Sequence, residues 1–396
     1  MKYAVILGDG MSDYPIKELG DKTPLTYANT PNMDHLADHA LHYGLAHTTL
    51  QDLPAGSDVA NLSVLGYDPE KYYTGRGPLE AGSMGVKLKQ DDIAFRCNLI
   101  TIENENISDY SAGHITSEEA AVLMKYLDEN LGDERVRFYP GISYRHLLVI
   151  NKFTPDTLCT PPHDVLGQPV ADNLPEGEGS EEIIELIKKS RNLLKDHPVN
   201  KKRIAAGKNP ANSIWPWGQG KTPSMPSFRE KYNINGSVIS AVDLIKGLGV
   251  FSGLEVINVP GATGYLDTDY EAKARYALES LKSKDFVFIH VEAADEASHE
   301  GKLKEKIMAI EDLDKKVVGT MLEGMKAFGE FKLMVLPDHP TPLSIKTHAR
   351  DPVPYVIYYS GHNNENNISY DEMSMKKGLL IKEGYRLMDL FIKGSL

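Results

Sequence analysis

Three runs of hydrophobic residues share one design: a short, continuous apolar stretch with β-branched residues that ends in aspartate or histidine. They are YAVILGDG (3–10), FVFIHVEAADEASH (286–299) and FKLMVLPDH (331–339). Continuous runs of this length suit central parallel strands covered on both faces, because neither side of the pleat meets water. Helical patterns lie between them. TDYEAKARYALESLKS opens with Thr268 three residues before Glu271, the spacing of a capping box, and LKEKIMAIEDLDKKVVGTMLEGMKAF repeats its apolar residues at helical period. Strand, helix, strand predicts an α/β layer with right-handed crossovers, in which ligands gather beyond the carboxyl ends of the strands. The acids of the three runs fall there.

From about 88 to about 200 the pattern breaks into shorter amphipathic pieces, among them DIAFRCNLITI and RHLLVI. A helix is predicted over Ser117–Leu131, with Thr116 and Glu119 as its capping box and Gly132 beyond its end. A Pro/Gly-rich loop, TPDTLCTPPHDVLGQPVADNLPEGEGS, then leads to a charged helix from Glu181 to about Lys195. The strand pattern of the opening resumes only after about 235. The chain therefore reads as one α/β domain over 1–87 and 201–396, interrupted by a smaller α+β domain over 88–200.

Composition narrows the function classes. With 396 residues, 41% hydrophobic and 25% charged, the chain has the makings of a soluble protein with a sizeable core. A net charge of −13 disfavours nucleic acid and anionic membranes as partners, since neutralising phosphates takes clustered Lys and Arg. It does not exclude a small anionic substrate, because bound divalent cations reverse the local charge. Cys97 and Cys159 are the only cysteines, which points to a reducing compartment rather than a disulfide framework. The apolar run Tyr3–Leu7 is too short for a signal segment, and no stretch approaches the roughly 20 apolar residues of a membrane span. A cytoplasmic location is predicted, and nothing in the pattern specifies an oligomeric state.

Candidate chemistry concentrates at the ends of the apolar runs. In LPAGSDVANLSVLGYDP (53–69), Ser57 precedes a segment of helical spacing, which would set its hydroxyl at a helix N-terminus where backbone N–H groups favour an anion. A plain N-cap is the competing assignment. In EAADEASHEG, Asp295 and His299 are four residues apart and would share one face of a helix, in reach of one ion. Asp338, His339 and His348 follow the third run, and Asp9 follows the first between Gly8 and Gly10. Two metals with mixed carboxylate and imidazole ligands would use all seven of these groups.

GDGMSD, PAGSDVANLSVLGYDP, GRGPLEA, DEASHEG, PDHPTP and KTHARDPVP together resemble the motif set of the cofactor-independent phosphoglycerate mutases of the archaeal type, in the alkaline phosphatase superfamily. The resemblance runs along nearly the whole chain and includes AFRCNLIT, SAGHIT and PPHDVLG in the middle region. It implies an alkaline-phosphatase-like α/β sheet with helices on both faces, interrupted by a smaller substrate-binding or lid domain. It implies one metal on Asp9, Ser57, Asp338 and His339 and a second on Asp295, His299 and His348. The activity implied is a glycolytic isomerisation of 3- and 2-phosphoglycerate through phosphoserine at Ser57, without a bisphosphoglycerate cofactor. Mixed O and N ligands suit Mn²⁺, Zn²⁺ or Co²⁺ ahead of Mg²⁺.

On the substrate side, Lys231 in SFREKYNING resembles the family's lysine beside the nucleophile, and Arg96, Arg145 and His163 are candidates to grip a carboxylate. A homoserine kinase-like phosphotransferase of the same family and a metal-dependent phosphomonoesterase are the alternative activities. GQGKTP (218–223) is not a phosphate loop, because the first glycine of that motif would fall on Trp215 and no apolar strand precedes it. NSIWPWGQGK reads instead as a loop with Trp215 and Trp217 at a domain junction.

Overall fold

The three apolar runs become neighbouring parallel strands at the centre of one sheet. The structure is a computed structural model and describes residues 1–396. In chain order the strands are β1 (Lys2–Gly8), β2 (Ala40–Ala46), β3 (Asp92–Glu103), β4 (Asn106–Asp109), β5 (Val136–Tyr139), β6 (Arg145–Asn151), β7 (Ser213–Gly220), β8 (Gly236–Ile239), β9 (Glu255–Val256), β10 (Phe286–Val291), β11 (Phe331–Leu336), β12 (Val353–Tyr359) and β13 (Leu379–Ile381). Eight of them form a sheet in the order β13-β2-β12-β11-β1-β10-β8-β9. β1 runs parallel to β10 and β11, with Val5 level with Phe288 on one side and Met334 on the other.

Both faces of this sheet are covered, which is why its strands are apolar throughout. Ala4, Ile6, Val287, Ile289, Leu333 and Val335 enter one core with the helices Pro31–Asp38, Tyr270–Leu281 and Leu303–Asp312. The alternate residues Val5, Leu7, Phe288, Met334 and Leu336 are equally buried. On that side Phe228 stacks on Phe286 at 4.5 Å, and Phe391 meets Tyr3 edge-on at 5.6 Å. Each such side chain contributes roughly 1.5–3 kcal/mol by leaving water. No helix is long and apolar enough to cross a membrane.

Two compact units emerge, Met1–Tyr73 with Met225–Leu396, and Thr74–Ser224. The smaller one holds both helices and strands and spans Thr74–Ser224, where the sequence pattern sets 88–200. Its first helix, Arg76–Ser83, packs so closely that a Cβ on Gly77 would lie 2.2 Å from the Ala94 carbonyl of β3. At its other end NSIWPWGQGK is not a loop: it supplies β7, which pairs antiparallel with β3 from Ser213 to Gly220. Pro216 is tolerated because β7 pairs with β3 alone, and a bulge at Gly218 (φ +60°) absorbs one extra residue. Trp215 and Trp217 therefore lie in the core of the smaller unit rather than at a junction.

Three helix expectations can be compared in detail. Thr116 does cap Ser117–Leu131, its hydroxyl accepting from the Glu119 N–H at 3.3 Å. The helix after Thr268 is capped one residue later, by Asp269 accepting from Ala272 N–H at 2.8 Å. The long helical pattern from Leu303 contains a π turn at Leu313–Val318, where buried Asp314 accepts from the Met33 N–H at 2.7 Å and so holds the start of a neighbouring helix.

Trp215 is 1% exposed and donates through Nε1 to the Thr160 carbonyl at 2.8 Å. Trp215→Ala is expected to lower the unfolding free energy of the smaller unit by about 3–5 kcal/mol. Denaturant titration followed by the fluorescence of Trp217 reads this unit alone, and an unchanged midpoint would count against the assignment of Trp215 to its core.

Candidate active site

The carboxyl ends of β1, β10 and β11 deliver the acids. Asp9 follows β1, Asp338 follows β11, and Asp295 sits in the helix Ala293–His299 that begins just after β10. A Gly10 with φ +63° lets the first loop pass tightly, its N–H donating to Asp338 Oδ1 at 3.3 Å. Ser57 is the first residue of the helix Ser57–Val64, behind an extended Gly56, and its hydroxyl does not cap that helix. Instead Ser57 Oγ lies 3.1 Å from His339 Nε2 and 3.5 Å from Asp9 Oδ2. That placement separates it from the N-cap assignment.

Two sets of ligand-type side chains result. Asp9, Asp338 and His339 form one, all buried, with His339 Nε2 3.4 Å from Asp338 Oδ2 and 3.6 Å from Asp9 Oδ1. Asp295, His299 and His348 form the other: His299 Nε2 is 3.1 Å from Asp295 Oδ2 and 3.1 Å from His348 Nε2. The sets adjoin, the rings of His339 and His348 being 4.0 Å apart. All seven groups singled out in the sequence are thus drawn together in the larger unit.

The electrostatics call for positive charge. Burial, and then the carboxylates of Asp338, Asp295 and Glu292, push the Asp9 carboxyl well above its ordinary range. Asp9 Oδ1 is buried without a hydrogen-bond partner. Burial would lower His299, but the hydrogen bond to Asp295 and its charge raise it to about 9. Burial would raise Asp295, yet hydrogen bonds from His299 and His348 hold it well below the carboxylate range. His299 Nδ1 faces the Lys346 carbonyl at 3.0 Å, an acceptor that fixes the ring with Nε2 toward Asp295 and His348. An orphaned buried oxygen and convergent imidazole nitrogens fit a pair of divalent cations.

Supporting residues that the sequence reading passed over surround these groups. Asn61, one turn beyond Ser57, donates from Nδ2 to the Ser57 carbonyl at 2.9 Å and to Asp338 Oδ2 at 2.8 Å. His290 in β10 is pushed down to about 4, chiefly by burial, and its Nε2 lies 3.0 Å from Asp9 Oδ2 while Nδ1 faces Ser240 Oγ at 3.2 Å. A neutral His290 accepting from Ser240 donates to Asp9. The only signal in the sequence was a histidine inside an otherwise apolar strand.

Comparison with known proteins gives the family. Residues 41–200 match the family model described as 2,3-bisphosphoglycerate-independent phosphoglycerate mutase. Proteins of that name are 57% identical in Methanosarcina barkeri, over 96% of each chain, and 50% identical in Methanothrix thermoacetophila, over the full length of both. The chain belongs to the 2,3-bisphosphoglycerate-independent phosphoglycerate mutase family. A solved Pyrococcus horikoshii protein matches with TM-score 0.84 and 32% identity, over 99% of this chain and 96% of that one. The cofactor-independent phosphoglycerate mutase of Thermoplasma acidophilum matches with TM-score 0.68 and 29% identity, over 99% of each.

For a member of this mutase family, the substrate-side candidates divide. Lys231 is not brought to Ser57. Its ammonium binds the Gly66 carbonyl, just past the far end of the Ser57–Val64 helix, between the rings of Tyr67 and Tyr232. Free carbonyls and the negative end of the helix dipole hold a cation there. In the smaller unit Arg96 is buried, donating to Glu80 Oε1 at 2.8 Å, and lies 5.0 Å from the Trp217 ring. Arg76 donates to the same oxygen at 3.1 Å and lies 5.4 Å from that ring. Exposed His163 stands edge-on to Trp217 at 5.2 Å, and exposed Arg145 lies over Tyr144. Burial would raise Glu80, but Arg96 and Arg76 keep it ionised and below its usual range.

Proposed function

We propose that this chain interconverts 3-phosphoglycerate and 2-phosphoglycerate through a phosphoserine at Ser57. The reading places one divalent cation on Asp9, Ser57, Asp338 and His339 and another on Asp295, His299 and His348, with Mn²⁺, Zn²⁺ or Co²⁺ ahead of Mg²⁺. The observation that carries it is the Ser57 hydroxyl at a helix N-terminus within 3.1 Å of His339, beside a second carboxylate–imidazole set. Bound cations would supply the charge that favours an ionised serine and neutralises phosphoryl oxygens.

The chain's own residues account for the rest of the chemistry. Asn61 holds the Ser57 carbonyl while Ser57 Oγ faces the first ligand set, and an Oγ–P bond forms as the ester bond to one glycerate oxygen breaks. The serine proton has an acceptor at Asp9 Oδ2. In the return half, the other glycerate hydroxyl takes the phosphorus and Ser57 regains its proton. For the smaller unit we propose substrate binding: Arg76 and Arg96 both donate to Glu80 Oε1 beside the Trp217 ring, and guanidinium groups of this kind suit a carboxylate.

The test is an assay on Mn²⁺-loaded protein for 2-phosphoglycerate formed from 3-phosphoglycerate, beside free phosphate release and ATP-dependent phosphorylation of homoserine. Mutase turnover with little phosphate release is the expected result. Phosphate release alone, or homoserine phosphorylation without mutase turnover, would overturn the reading.

A further inference from the structure

Thr341 lies between the two ligand sets and is fully buried. Its Oγ1 is 2.5 Å from Asp295 Oδ1, in one set, and 3.2 Å from His339 Nδ1, in the other. Hydrogen-bond direction follows from the inventory of protons. A hydroxyl has one proton, and the ionised Asp295 can only accept, so Thr341 donates to Asp295. Thr341 therefore accepts from His339, which must carry its proton on Nδ1. The His339 Nε2 lone pair is then left facing Ser57, Asp9 and Asp338.

The backbone of Thr341 is held independently of these bonds. Its N–H donates to the Ser12 carbonyl at 3.2 Å, and its carbonyl accepts from the buried Lys306 ammonium at 3.0 Å, which is itself paired with Asp13 at 2.8 Å. The Gly10 turn presses on the same point: a Cβ there would lie 2.6 Å from Asp295 Oδ1 and 2.7 Å from Thr341 Oγ1. Gly10 thus leaves the space that the hydroxyl and Asp295 occupy, and a valine in place of Thr341 would supply neither bond.

We propose that Thr341 is a positioning residue that couples the two ligand sets, fixing the His339 tautomer through the same hydroxyl that orients Asp295. The inference rests on the two-cation reading of the site. Removing the hydroxyl leaves the Asp295 oxygen and the His339 N–H without their shared partner and frees His339 to move its proton to Nε2, where it would oppose a cation. Loss of an outer partner of this kind typically weakens metal binding about 10–100-fold.

The experiment compares wild type, Thr341→Val and Thr341→Ser as full-length proteins, by Mn²⁺ titration and by ¹⁵N NMR of the histidine rings in the metal-free state. Expected are two Mn²⁺ ions in wild type and an Nδ1–H tautomer for His339. In Thr341→Val the weaker Mn²⁺ affinity should fall about 10–100-fold and the Nε2–H tautomer should grow, while Thr341→Ser restores both. Equal Mn²⁺ affinities and an unchanged tautomer in Thr341→Val, with the protein folded by circular dichroism, would overturn the proposal. If wild type binds no Mn²⁺ at all, the cation reading fails, and the His339 tautomer still decides the role of Thr341.

Discussion

Ser57→Ala is expected to lower kcat for 3-phosphoglycerate turnover by about 10⁵-fold while leaving the fold intact. The size of the effect follows from what is removed. A reaction that passes through a phosphoserine has no route without the hydroxyl, and nucleophile deletions in enzymes cost on the order of 10⁴–10⁶ in kcat. Stability should change little, because Ser57 does not cap its helix and its hydroxyl has only the contacts to His339 and Asp9, at 3.1 and 3.5 Å. The Asn61 bonds to the Ser57 carbonyl and to Asp338 survive the substitution. Steady-state kinetics and thermal denaturation on the same preparation check both halves. A variant retaining even a tenth of wild-type turnover would remove Ser57 from the reaction.

The second large effect is expected at His299. It closes the Asp295, His299, His348 set from the last turn of a short helix, its ring fixed at Nδ1 by the Lys346 carbonyl. His299→Ala leaves two donors of three, too few for a divalent cation to exchange its water shell favourably. The bound metal should fall from two ions to one, and turnover by about 10³-fold, on the scale of losing one preorganised charge stabiliser. The first set should keep its ion, since Asp9, Asp338 and His339 are positioned by β1 and β11. Elemental analysis after desalting gives the stoichiometry. His35→Ala is the control: its ring lies tilted against His39 at 4.3 Å in a separate histidine group, and it should lose no metal. Two ions retained in His299→Ala would show that this set is not a metal site.

The parts of this fold that could be read from sequence were those whose physics is local. Continuous apolar runs have few alternatives to buried parallel strands, so β1, β10 and β11 and the acids beyond them were legible, and with them the place where Asp9, Asp295 and Asp338 meet. β7 was hidden because Pro216 and Gly218 signal a loop, and only pairing with distant β3 makes the segment a strand. The helix Arg76–Ser83 was hidden likewise, its Gly77 serving close packing on β3. Lys231 was singled out by the family resemblance, but the orphan carbonyl at Gly66 captures its charge. Asn61, His290 and Thr341 act through bonds to residues far along the chain, and a single sequence does not carry that information.

The central claim is that phosphate passes through Ser57, and the most direct measurement is a rapid-quench experiment with 3-phosphoglycerate labelled at phosphorus. Acid quenching in the first turnover, followed by peptide mass spectrometry, should find phosphate on Ser57 in wild type, rising and decaying as 2-phosphoglycerate appears. Label on another residue, or 2-phosphoglycerate formed with no labelled protein at any time, would contradict the account.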